Sequence, residues 1–236
     1  MRSIEIEIPE SVEEQRRIAS ILKDYDKMIN SQEKLIELIQ RERERERVYS
    51  RSFSDNPQNY KWRTVKLGDI VKINSGKGIK KSEYIEGGKY PIIGANGEIG
   101  RTDRVNNTKK VLTTGRVGTI GTIQKVEYAW ITDNSLIIDI KDTSETDIDY
   151  LYHILGLVDF KSITTGNAQP LVTSTRLKEI EVSLPDIEEQ RRISQVFDSF
   201  DNMIERNKDL IDIVNEEREY TREVAWTVLK LLGSRL

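Results

Sequence analysis

The six-residue stretch EEQRRI, Glu13 to Ile18, returns letter for letter at Glu188 to Ile193 in a chain of 236 residues. The match extends both ways. Upstream, Ile4-Glu5-Ile6-Glu7-Ile8-Pro9 aligns with Ile180-Glu181-Val182-Ser183-Leu184-Pro185, with Ser11 as one extra residue. Downstream, Met28-Ile29 aligns with Met203-Ile204, Leu35-Ile36 with Leu210-Ile211, and Glu42-Arg43-Glu44 with Glu217-Arg218-Glu219. Each copy reads as a short alternating strand, a proline, an acidic helix start and a long helix. Glutamates at such a start suit the positive end of the helix dipole.

Inside both helices apolar residues recur every seven positions. One row is Ile18, Tyr25, Gln32 and Ile39 in the first copy and Ile193, Phe200, Asn207 and Val214 in the second. Its expected companion is Ile21, Met28 and Leu35, matched by Val196, Met203, Leu210, Glu217, Val224 and Leu231. Two such rows make a coiled-coil seam, and the polar Gln32 and Asn207 in it restrict register at a cost in stability. A helix of about 40 residues is about 60 Å long, so the repeat serves as a spacer. The alternating signs of Arg41 to Arg47 mark a solvated, salt-bridged stretch.

Between the helices the pattern changes. Helical periodicity stops around Ser52 to Pro57, and short alternating segments follow at Trp62–Val71, Val111–Thr114, Val117–Ile123 and Leu136–Ile140, with a helical pattern at Asp147–Val158. Glycines cluster between Gly68 and Gly118, as tight turns between strands require. The expected fold is α+β, with one small globular domain built on a curled, mostly antiparallel sheet and two long antiparallel coiled-coil helices. The expected segments are a strand at 1–9, a first long helix at 10–54, the globular domain at 55–185 and a second long helix at 186–236.

Composition narrows function. Cysteine is absent and no apolar run reaches membrane-span length, which leads us to expect a cytoplasmic protein without disulfides, thiolate metal sites or membrane partners. The net charge of −3 conceals an asymmetry, because residues 61–125 hold 14 Lys and Arg against 5 Asp and Glu, a balance of +9. One basic quarter in an acidic protein is a candidate polyanion face. Catalytic motifs are missing. The one histidine, His153, sits in the apolar run Tyr150–Leu155, where a structural role is expected. Gly76-Lys77-Gly78 lacks phosphate-loop spacing, and Asn56-Pro57-Gln58-Asn59 lacks the second proline and aromatic of an adenine methyltransferase motif. We therefore expect no enzyme activity, no cofactor and no metal.

What the globule offers is recognition chemistry. Lys77, Lys80, Lys81, Arg101, Arg104, Lys109, Lys110 and Arg116 lie in glycine-punctuated loops, with the amides Asn96, Asn106, Asn107, Asn167 and Gln169. Lys and Arg contact phosphates, whereas Arg, Asn and Gln carry the forked donors and acceptors that read base edges.

These residues together resemble the specificity subunits of type I restriction–modification systems. The likeness runs through Trp62 with Lys66-Leu67-Gly68-Asp69-Ile70, Tyr90 to Gly97, Gly115 to Gly121, Trp130 to Asn134, Gly166 to Pro170, and the closing Ile180 to Ile193. The resemblance implies a non-catalytic reader of double-stranded DNA whose target-recognition domain reads half of a bipartite target. Its helices would set the half-site spacing and dock modification (methyltransferase) subunits, with a separate restriction (translocase and endonuclease) subunit. One recognition domain is present where the family pattern has two, and residues 1–9 look like the tail of a preceding one. A homodimer is therefore expected to restore the pair. The alternative is a coiled-coil interaction scaffold without specific DNA binding.

Overall fold

The protein is described here from a computed structural model that covers residues 11–54, 62–116, 121–160 and 172–233. The expected strand at 1–9 lies outside the described residues. The chain divides into two compact units. One is made of the chain up to Ser50 with the chain from Phe197 onward, and the other runs from Arg51 to Val196.

The first unit is a pair of helices. Helix α1 (Val12–Ser54) and helix α5 (Ile187–Gly233) have 43 and 47 residues. Ser11, the extra residue of the first copy, caps α1 by accepting the Glu14 N–H on its Oγ, and Asp186 caps α5 by accepting the Glu189 N–H at 2.9 Å. Tyr25 meets Thr221 at 3.3 Å, Arg218 reaches Asp26 at 3.5 Å and Arg43 pairs with Asp201 at 2.8 Å. Rising numbers on one helix meet falling numbers on the other, so the pair is antiparallel and forms within one chain.

The seam differs from expectation by one position. Ile18, Tyr25, Gln32 and Ile39 face inward with Leu22, Ile29 and Ile36, and Ile193, Phe200, Asn207 and Val214 do so with Phe197, Ile204 and Ile211. Of the expected companion row, Ile21, Met28, Leu35, Met203, Leu210 and Val224 are 39–50% exposed, whereas Val196 is half-buried. The cause is that both rows are apolar over most of their length, so periodicity permits either frame. The frame adopted turns Arg43 and Arg218 toward the seam, where their stems cover apolar surface and their guanidinium groups meet acids of the opposite helix. The other frame would place Glu42 and Glu217 there. Gln32 lies level with Val214, and Asn207 with Ile39, so the two polar seam residues sit in separate layers.

Among the described residues the second unit carries nine strands in three sheets. Strand β1 (Arg63–Lys66) pairs antiparallel with β9 (Glu181–Leu184). After the short helix α2 (Leu67–Ile70), strands β2 (Val71–Ser75), β8 (Ser135–Ile140), β5 (Val111–Gly115) and β6 (Ile123–Val126) form an antiparallel sheet in that order. Strands β4 (Gly97–Thr102), β3 (Tyr90–Gly94) and β7 (Trp130–Ile131) form the third, with β3 and β7 parallel. The expected mostly antiparallel sheet is thus divided among three sheets, and among the described residues every strand pair is antiparallel except β3 with β7. Alternation along β5 and β8 explains the layering. Leu112, Leu136 and Ile138 face a core shared with helices α3 (Ile148–Leu155) and α4 (Ser174–Lys178), whereas Val111 and Ile137 face the third sheet through Ile93 and Ile131. Among the described residues no helix is long and apolar enough to cross a membrane.

Candidate nucleic-acid interface

The four-stranded sheet has two ends, and the basic residues sort between them. At one end β2 finishes at Ser75, β5 finishes at Gly115 and β8 begins at Ser135, and the register brings all three together. Two glycines allow this convergence. A Cβ at Gly76 would lie 2.2 Å from the Thr132 carbonyl oxygen, and one at Gly115 would lie 2.8 Å from the Ala95 carbonyl oxygen. The chain can pack this closely only without side chains there.

On this end stand Arg116, Lys77 and Asn96. Arg116 donates through its guanidinium to Ser75 Oγ at 3.3 Å, and its main-chain N–H donates to Asn134 O at 3.0 Å. Val172 donates to Arg116 O at 3.0 Å. Lys77 is pinned by its main chain, donating to Ile131 O at 2.9 Å and accepting from the Trp130 indole at 2.9 Å. Its ammonium is exposed. The same segment continues through Lys80 into a single 3-10 turn (Lys81–Glu83). Among the described residues Lys77, Lys80 and Lys81 have no ion pair. Asn96 is exposed in the β3–β4 turn, beside Gly115 through its neighbour Ala95.

Arg104 and Arg101 flank this loop but are engaged within the fold. Arg104 pairs with Glu83 and lies 5.0 Å over the Trp130 ring. Arg101 donates to Gly88 O at 2.6 Å, Lys89 O at 3.1 Å and Glu98 at 3.0 Å, latching the chain that leads into β3. Asn106 spends its whole amide on Ile131, donating to its carbonyl and accepting from its N–H, both at 2.8 Å.

Lys109 and Lys110 precede β5 and so lie at the opposite end of the sheet, about 20 Å from Arg116 along the strand. Both face acids. Lys109 lies 3.6 Å from Asp139, and Asp149 receives Lys110 at 2.7 Å and Lys125 at 2.9 Å. Burial alone would raise the Asp149 pKa, but the hydrogen bonds and charges of the two lysines outweigh it and hold the carboxyl below its ordinary value. Lys109 and Lys110 also border a cleft of about 610 Å³ with Asp142, Asp147 and Arg191. Asn167 and Gln169 lie outside the described residues. His153 is buried, edge-on to Tyr152 at 5.0 Å between ring centroids.

Sequence reasoning missed one residue, Gln190. It is fully buried at the start of α5 and makes three side-chain hydrogen bonds. The signal was available, because a glutamine is the one uncharged polar residue in a charged hexapeptide that occurs twice.

Residues 1–41 and 59–216 match the family profile described as Type I restriction modification DNA specificity domain. The chain is 24% identical to the type I restriction enzyme MjaVIII specificity subunit of Methanocaldococcus jannaschii, over 98% of this chain and 61% of that protein. The fold is similar to the crystal structure of a type I restriction-modification S subunit from M. genitalium, with a TM-score of 0.68, 21% identity and coverage of 89% of this chain and 60% of that one. A chain from a study of complex assembly and conformational transition in the type I R-M system gives a TM-score of 0.56 at 19% identity, covering 94% of this chain and 59% of that one. The chain thus spans less than two thirds of the length of each of these proteins.

Proposed function

The chain belongs to the type I restriction–modification DNA specificity domain family, and from that premise we propose that it is the DNA-reading subunit of a type I restriction–modification complex. Its recognition domain reads one half-site of double-stranded DNA. Methylation and cleavage reside in modification and restriction subunits that assemble with it in the cytoplasm, and the chain itself supplies recognition without chemistry.

The observation that carries this reading is the loop Gly76–Glu83. It is fixed to the sheet at Gly76 and Lys77, presents Lys77, Lys80 and Lys81 without ion pairs among the described residues, and adjoins Arg116 and Asn96. Fixed, unneutralised cations suit phosphates, while an arginine and an amide beside them suit base edges. Lys109 and Lys110 serve better as the flank, where they balance Asp139 and Asp149.

The exposed heptad row supplies the partner surface. In an antiparallel pair the rows of Ile21, Met28 and Leu35 and of Met203, Leu210 and Val224 flank the same side of the seam, and Ile21 and Val224 line one groove of about 450 Å³. A second copy's helix pair covering this apolar face makes a four-helix bundle and a two-fold homodimer. The test is DNA binding at several salt concentrations. Replacing Lys80 and Lys81 with Gln should flatten the slope of log affinity against log salt by about 1.8, the release expected from two phosphate contacts. An unchanged slope removes both lysines from the interface, and salt-independent binding by the parent protein defeats the reading.

A further inference from the structure

The buried glutamine of the repeated hexapeptide is not accounted for by DNA contact. Gln190 Oε1 accepts the Asp147 N–H at 2.9 Å, and Nε2 donates to Glu145 O at 2.9 Å and Pro185 O at 2.8 Å. One side chain therefore joins the end of β9, the turn before α3 and the first turn of α5. Asp147 also caps α3 by accepting from Tyr150 N at 2.8 Å, and the Tyr150 hydroxyl donates to Ser183 O at 2.6 Å, a second tie from α3 to β9. Helix α3 packs on β5 and β6, and β5 ends beside Arg116. The first turn of α5 is thus hydrogen-bonded to the end of β9 and to the turn before α3, and α3 packs on the strand that carries the reading edge. We propose that Gln190 is a positioning residue that holds the first turn of α5 on the recognition domain and thereby sets which half-site spacing the assembly accepts. The proposal rests on the DNA-reading function above. A helix of 47 residues is about 70 Å long, so a change of about 5° at its start moves its far end by about 6 Å, close to two base pairs.

The test uses the full chain with modification subunits and DNA targets whose half-sites are separated by one base pair more or fewer. Gln190→Met keeps the bulk of the side chain and removes all three bonds. It should leave half-site protection in place while preference for the best spacing over its neighbours falls by about tenfold, the effect of losing roughly one hydrogen bond's worth of orientation. Tyr150→Phe, which removes the parallel tie alone, should relax spacing in the same direction by a smaller factor. Ile73→Ala, a core truncation in β2, should lower stability and leave spacing preference unchanged. The proposal is overturned if folded Gln190→Met retains the parent's preference, if Ile73→Ala relaxes it equally, or if Gln190→Met loses its fold while Tyr150→Phe keeps full preference. A parent protein that protects no half-site would instead defeat the functional reading.

Discussion

Replacing Ile204 and Met203 with alanine, one at a time, separates the two faces of α5. Ile204 is 9% exposed and Met203 is 40% exposed. Truncating isoleucine removes three carbons, worth about 2.4 kcal/mol at about 0.8 each, and the cavity left in the seam raises the cost to about 2–4 kcal/mol. Met203 is partly solvated within one chain, so its truncation there should cost about 1 kcal/mol or less. If a second copy covers the Met203 row, the Met203→Ala penalty should grow with protein concentration, because dimerisation stabilises by mass action. The Ile204→Ala penalty should not depend on concentration. Denaturant unfolding followed by far-ultraviolet circular dichroism, at concentrations about a hundredfold apart, measures both. Equal penalties for the two variants at the lower concentration would refute the seam assignment, and a Met203→Ala penalty that does not grow would refute the covered face.

Arg116→Ala should relax sequence preference at one base pair by about 1–3 kcal/mol, read from binding to targets varied one position at a time. Asn106→Ala strips two partners from the buried Ile131 main chain and should destabilise the recognition domain by about 2–4 kcal/mol in thermal or denaturant unfolding. The depressed pKa of Asp149 is a stability contribution present above the ordinary carboxylate value of 3.8 and lost as pH falls through the lower folded value. The stability gap between the parent and Asp149→Asn should therefore be widest near neutral pH and close in strong acid, as pH-dependent unfolding would record.

Much of the architecture is legible in the sequence because it depends on local pattern. The doubled hexapeptide and sevenfold spacing give both helices, and alternation gives β5 and β8. The heptad frame is not legible, since Met28-Ile29, Leu35-Ile36, Met203-Ile204 and Leu210-Ile211 offer apolar neighbours at both candidate positions. Nor is the parallel contact of β7 with β3, which joins Ile92 and Ile93 to Trp130 and Ile131 across long sequence separation. The candidate site divides on the same principle. Residue type and glycine-rich context pick out Lys77, Lys80, Lys81 and Arg116, but only tertiary partners distinguish them from Arg101, held by two carbonyls and Glu98, and from Lys110, held by Asp149.

Methylation mapping, with the chain supplied alongside compatible modification subunits, tests the central claim most directly. Two identical readers related by a two-fold axis see the same bases on opposite strands. The account predicts methylation confined to two identical, inverted half-sites separated by unread base pairs. Methylation within a single continuous asymmetric target, or methylation indifferent to sequence, would contradict it.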